Sequence, residues 1–203
     1  LFDGAGLSAM GLRYAGFRTI GIELNPIAHR LALAVLQAEI CEYGLDSPAN
    51  ASRVLLADVR DPMVAGFMEI ADVIWASPPC QTHSSARTQG EATSGFAEDL
   101  LPWSLSLPDA YPDKKAVWIE NVTKMGKGQN DWGTVYNAYQ FGTDQCRNRV
   151  VGGRYPEPEV LHPYLYKPPG IIRCITASEW KGCATDKRRA SRFYGRRLTL
   201  LEC

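Results

Sequence analysis

The chain has six cysteines, and no two of them form a C-x-x-C pair. Cys41, Cys80, Cys146, Cys174, Cys183 and Cys203 are scattered along it. Such scatter fits reduced thiols better than a disulfide framework or a zinc site. No metal is therefore expected, and the thiols point to a cytoplasmic setting. No apolar run approaches the roughly 18 residues of a membrane span, and the sequence reads as having no signal peptide. Membrane contact is not expected. There is no internal repeat and no low-complexity tract. The formal net charge is zero, which argues against a protein coated in basic residues.

What is present is an ordinary globular composition. The 203 residues are 45% hydrophobic and 22% charged, enough for one cored domain with at most a small appendage. The zero net charge hides an asymmetry. Residues 1–150 carry 12 Lys/Arg against 17 Asp/Glu, and residues 151–203 carry 10 against 5. A basic tail on an acidic body predicts a polyanion contact confined to one part. Both ends read as cut. Leu1-Phe2 reads as the end of a strand, and Glu202-Cys203 falls where a helix is expected to begin.

The organising stretch is Ser77-Pro78-Pro79-Cys80-Gln81. It follows Ala71-Asp72-Val73-Ile74-Trp75-Ala76, an apolar run of buried-strand type. Two prolines end a strand ladder. Cys80 is thereby placed at a strand's carboxyl end, where open α/β sheets hold their ligands. A cysteine on a stiff turn is a candidate nucleophile. The plainer reading is a buried structural thiol.

The first half reads as a nucleoside-cofactor fold. Leu1-Phe2-Asp3-Gly4-Ala5-Gly6 is a strand end entering a glycine turn, with a helix over 7–15 and Gly16 as its terminator. Thr19-Ile20-Gly21-Ile22 is a strand ending at Glu23, and Asn25-Pro26 starts a helix over about 26–43. An acid at the end of strand two suits ribose hydroxyls. Val54-Leu55-Leu56-Ala57 ends at Asp58, whose carboxylate suits an adenine amino group. Both acids also read as solvated strand ends. Gly4-x-Gly6-x-x-Ala9 fits the dinucleotide fingerprint, so NAD is a rival cofactor.

After Cys80, residues 81–90 are polar and Ser-rich and read as a loop able to close on a substrate. His83 in it reads as a loop residue more readily than as a base for Cys80. Lys115-Ala116-Val117-Trp118-Ile119 is a strand ending at Glu120-Asn121-Val122. Glu120 is expected to share the Cys80 pocket, although a surface acid is the simpler alternative. Gln145, Arg147 and Arg149 alternate, so one extended strand would turn all three to one side. Two arginines there suit an anion or a base edge, or else lie solvated. Residues 152–182, with prolines and glycines before Ile171, read as irregular, with one strand expected over 171–176. Lys187-Arg188-Arg189-Ala190-Ser191-Arg192-Phe193-Tyr194-Gly195-Arg196-Arg197 sets six basic residues around two aromatics, a nucleic-acid signal or a basic surface helix.

Taken in this order, the segments resemble the DNA (cytosine-5) methyltransferase family of bacterial or phage type. Leu1 to Gly6 with Gly11-Leu12 and Ala15-Gly16-Phe17 resembles its first motif. Glu23-Leu24-Asn25-Pro26 resembles the second and Asp58 the third. Pro78-Pro79-Cys80-Gln81 matches the nucleophile motif, Glu120-Asn121-Val122 the next catalytic motif, and Gln145-Cys146-Arg147-Asn148-Arg149 the arginine motif. Arg197-Leu198-Thr199-Leu200-Leu201-Glu202-Cys203 resembles the segment after the target-recognition region. Leu7 stands where the family usually has a second glycine. The family's last motif does not follow Cys203.

The resemblance implies a Rossmann-like class I AdoMet-dependent α/β fold. Residues 1–150 would be the catalytic domain, 151–195 a short target-recognition segment, and 196–203 the start of the return. It implies S-adenosyl-L-methionine as cofactor, held by Phe2, Gly4, Ala5, Gly6, Glu23, Leu24, Asp58, Val59 and Pro78. Catalysis would fall to Cys80, Glu120, Arg147 and Arg149. Substrate contacts would come from Pro79, Gln81, Ser84, Arg87, Asn121, Gln145, Arg188, Arg189 and Arg192. The partner would be double-stranded DNA, and a cognate restriction endonuclease would fit such a context in a bacterial or phage-infected cytoplasm. Two rivals keep the same fold: an RNA (tRNA) cytosine-5 methyltransferase and a catalytically inert DNA-binding regulator.

Overall fold

Helix starts in this chain are set largely by polar-residue–proline pairs. In the structure, a computed structural model, residues 1–44, 47–79, 99–123, 131–143, 145–161 and 172–173 are described. Helix α1 (Leu7–Tyr14) follows the glycine turn, and strand β1 (Ile20–Glu23) comes next. Asn25 caps α2 (Pro26–Tyr43), its side chain accepting from the N–H groups of Ile27 and Ala28. Ser47-Pro48 opens the short α3 (Pro48–Ala51), followed by β2 (Arg53–Leu56). Asp61 caps α4 (Pro62–Ile70) by accepting from Met63 N at 2.8 Å. The same Asx-Pro signal as Asn25-Pro26 marks that helix in the sequence. Strand β3 (Val73–Ala76) leads into the two prolines.

The second half is more strand-rich. Short helices α5 (Leu101–Leu105) and α6 (Leu107–Ala110) precede β4 (Ala116–Val122). Then come β5 (Gly133–Asn137), a 3-10 turn over Ala138–Phe141, β6 (Gln145–Cys146), β7 (Asn148–Arg154) and β8 (Ile172–Arg173). The result is a mixed α/β fold. β1 and β2 pair in parallel. A four-stranded sheet has the order β3-β4-β7-β5, with β3 parallel to β4 and β7 antiparallel to both of its neighbours. β6 and β8 form a separate parallel pair.

The core lies on one face of the larger sheet. Ile74, Ala76, Val117 and Ile119 are fully enclosed with Val64 and Met68 of α4 and Leu107 of α6. Val64 and Met68 stand four residues apart, so they share one helix face. Burial alternates along β4, with Val117, Ile119 and Asn121 inward. The other face presents Glu120 and Val122.

The strand read over 115–119 and ending at Glu120-Asn121-Val122 is present as β4, whose last three residues these are, so Glu120 lies near its carboxyl end and within its ladder. One sequence expectation needs correction. Gln145, Arg147 and Arg149 do not share one strand. β6 stops at Cys146 and β7 starts at Asn148, leaving Arg147 between them. Asn137 holds the Arg147 backbone at this break. Its Oδ1 accepts from Arg147 N at 3.2 Å, and Ala138 N donates to Arg147 O at 3.0 Å. No helix among the described residues is long and apolar enough to cross a membrane.

Candidate active site

Parallel pairing brings the two-proline turn beside the acid. Ala76 stands opposite Ile119, so the chain leaving β3 runs next to Glu120 and Asn121. Asn121 locks this arrangement. Its Nδ2 donates to Pro78 O at 3.2 Å, and its Oδ1 accepts from Val122 N at 2.8 Å. Asn121 is buried, so these bonds form away from competing water. Pro78, Pro79, Glu120 and Asn121 all line a cavity of about 740 Å³ at the strands' carboxyl ends. That volume is in the range of small-molecule sites.

The antiparallel register of β4 and β7 supplies the cation. Arg149 stands opposite Val122, and Glu120 lies two residues back on the same face. The diagonal lets Arg149 Nε reach Glu120 Oε1 at 2.8 Å. Burial pushes the Glu120 carboxyl above its ordinary range, while the charges of Arg149 and Arg147 pull it back. A carboxyl under these opposed influences is suited to holding or giving a proton.

Arg147 also lines the cavity, although it lies outside the strands. Its position depends on Asn137, only 1% exposed. Besides Arg147 N, the Asn137 side chain accepts from Tyr139 N at 3.0 Å and donates to Asn148 Oδ1 at 2.7 Å. Gln140 Oε1 accepts in turn from Asn137 N at 2.7 Å. This is a capping box, legible as Asn137-x-x-Gln140. Sequence reading did not single Asn137 out, because its importance lies in reaching Arg147 ten residues on.

The opposite side of the cavity is built from the first three motif segments. Phe2, Gly4, Glu23, Leu24, Asp58 and Val59 line it. Glu23 Oε2 accepts from Gly4 N and Oε1 from Asn25 N, both at 2.7 Å. The carboxylate therefore pins the glycine turn to the start of α2, and each oxygen keeps a further lone pair. Asp58 holds Arg60 in a two-pronged contact, with Nε at 3.0 Å from Oδ1 and a terminal guanidinium nitrogen at 2.9 Å from Oδ2. These bonds hold the Asp58 carboxyl below its usual range. Arg60 and Leu100 are lining residues that sequence reading missed. Only the Asp58-x-Arg60 spacing hinted at the first.

Phe2 has φ 59, an uncommon left-handed backbone for an aromatic residue, and its ring meets Trp103 edge-on. Gly4 lines the cavity, whereas Ala5 and Gly6 do not. Gly6 serves packing instead. A Cβ there would lie 3.0 Å from Ala32 Cα, and the residue has φ 83. Carboxylates beside apolar surface from Phe2, Leu24 and Val59 fit a nucleoside carrying a cationic sulfonium.

Several predicted site residues lie outside the described residues: Cys80, Gln81, Ser84, Arg87, Arg188, Arg189 and Arg192, together with the side chain of Gln145. Among the described residues no cluster of three metal-ligating side chains occurs.

The chain matches no protein-family model. It matches no curated protein sequence. Among solved structures it is similar to a mutant DNMT2 from Spodoptera frugiperda, at 13% identity and a TM-score of 0.45. That likeness covers 86% of this chain and 53% of the other, so this chain spans about half the length of that structure. No comparison supports the bacterial or phage type.

Proposed function

We propose that this chain is a cytosine-5 methyltransferase on a Rossmann-like class I fold, with S-adenosyl-L-methionine as cofactor and duplex DNA as substrate. The observation that carries this reading is the meeting of three segments at one cavity. The Pro78-Pro79 turn that leads into Cys80, the half-buried Glu120, and Arg147 with Arg149 come from distant parts of the sequence. A nucleophile beside an acid and two cations is what addition to a cytosine ring requires.

Cytosine C5 is a poor nucleophile until the ring is activated. The Cys80 thiolate adds to C6, and the ring becomes an enamine that is nucleophilic at C5. Glu120 holds or delivers the proton that N3 gains, consistent with the upward push of its carboxyl by burial. Arg147 orients the base at its carbonyl oxygen, and Arg149 keeps Glu120 in place. Glu23, Asp58 and Gly4 would hold the cofactor, whose sulfonium supplies the methyl group when bound. The C5 proton then leaves to water, its electron pair expels Cys80 from C6 as thiolate, and the N3 proton returns to Glu120. The target base must leave the stack to reach such a cavity. Arg188, Arg189 and Arg192 in the basic tail are assigned to the phosphates, with a short recognition sequence of about two to four base pairs.

The test is covalent trapping. A duplex carrying 5-fluorocytosine cannot release its C5 substituent, so incubation with cofactor should give a protein–DNA adduct that survives denaturation. Cys80→Ser should form none. Absence of the adduct in protein shown to bind both cofactor and DNA would sink the reading. Competition between tRNA and duplex DNA as methyl acceptors separates the DNA enzyme from its RNA counterpart.

A further inference from the structure

The turn between β2 and α4 sends neighbouring residues to different places. Val59 packs in the core, while Asp58 and Arg60 on either side of it line the cavity of the candidate active site. The turn is held at both ends. Ala57 N donates to Glu23 O at 3.1 Å, and Asp61 N donates to Asp58 O at 3.0 Å. Asp58 and Arg60 are therefore placed by backbone that the core and β1 fix.

Arg60 grips the Asp58 carboxylate with three N–H groups. Its backbone N donates to Oδ1 at 2.9 Å and its Nε donates to the same oxygen at 3.0 Å. A terminal guanidinium nitrogen donates to Oδ2 at 2.9 Å. Each oxygen of an ionised carboxyl has two lone pairs. Oδ1 is thus filled by this one residue, and Oδ2 keeps a single place. The carboxylate cannot turn without breaking these bonds. The same bonds hold its carboxyl below the usual range, so it stays an acceptor and not a donor.

We propose that Arg60 determines which purine the cavity accepts: by fixing Asp58 it leaves one acceptor place, which takes a 6-amino group and refuses a 6-oxo group. This rests on the reading of the cavity as a nucleoside site with Asp58 at the base. A 6-amino group donates into the open place on Oδ2. A 6-oxo group brings its own lone pairs against a charged acceptor and leaves both unpaired. The neighbouring N1–H of such a purine would suit a carboxylate able to swing toward it, and the grip of Arg60 denies that movement. Arg60 acts through Asp58 and is a positioning residue. Its side chain is 43% exposed, so replacing it leaves the core intact.

Titration calorimetry with S-adenosylhomocysteine and its deaminated form, S-inosylhomocysteine, tests this without DNA or methyl transfer. The parent should prefer the adenosyl ligand by roughly 100-fold. Arg60→Ala should cut that preference to about tenfold or less, and Arg60→Lys, which lacks the two-pronged contact, should resemble it. Asp58→Asn gives a second reading. Its amide must turn its oxygen to the Arg60 donors, which leaves the NH2 at the open place. Preference should then move toward the inosyl ligand, and adding Arg60→Ala to Asp58→Asn should erase that move. An unchanged ratio in Arg60→Ala would overturn the proposal. So would an equal loss of both ligands, the mark of a merely structural role, or a parent without preference. A parent that binds neither ligand would sink the nucleoside reading of the cavity, and this inference with it.

Discussion

Arg149 Nε lies 2.8 Å from Glu120 Oε1, a contact made across the β4–β7 ladder between residues 29 positions apart. It opposes burial, the largest influence on that carboxyl. Removing the cation should therefore let desolvation act with less opposition. In Arg149→Ala the Glu120 carboxyl should titrate at higher pH than in the parent, and Arg149→Lys should fall between. Carbon NMR of labelled glutamate carboxyls reads this directly. A downward shift in the alanine variant would show that Arg149 does not stabilise the carboxylate.

The same group predicts a slope in stability. Its folded pKa lies above the ordinary 4.5, so the native state binds more protons than the unfolded state just above that pH. Stability from this group should fall as pH rises from about 4.5 through the folded pKa. Glu120→Gln should flatten that part of the profile, because an amide does not titrate. Urea midpoints measured from pH 4.5 to 7.5 would show it, and an unchanged slope in the variant would assign the effect elsewhere.

Asn137→Ala should be costly for a polar-to-apolar change of its size. It removes the side-chain bonds to Tyr139 N, Arg147 N and Asn148 Oδ1 from a site that is nearly closed to water. A loss of about 2–3 kcal/mol in chemical denaturation is expected. The Arg147 amide should also exchange faster than in the parent. A neutral result would mean the Arg147 segment is held by other contacts.

Arg13 and Glu39 form a buried ion pair that also involves Thr19, whose hydroxyl accepts from an Arg13 guanidinium nitrogen at 2.9 Å. Arg13→Ala leaves a carboxylate without its partner inside the protein, at a cost of about 3–5 kcal/mol. Replacing both, as Arg13→Met with Glu39→Leu, should recover most of that loss. Thermal unfolding of the two variants decides the matter. Equal destabilisation would show that the pair's geometry, rather than an orphaned charge, was what mattered.

Local chemistry in the sequence determined much of the frame. Asn25-Pro26 starts a helix and Pro78-Pro79 ends a strand, because proline and a capping side chain act within a few residues. The glycine turn, Glu23, Asp58, the two-proline turn and Glu120 were all legible as strand-end features for that reason. Their meeting at one cavity was a deduction from order along an α/β chain. Tertiary structure decided the rest. The partner of Glu120 depends on which residue of β7 faces Val122, and that register is a property of the folded sheet. The anchoring of Arg147 depends on a buried Asn137, whose burial no local pattern announces. The roles of Glu23 as a pin for Gly4 and of Gly6 as a packing point against Ala32 likewise exist only once α1, β1 and α2 have come together.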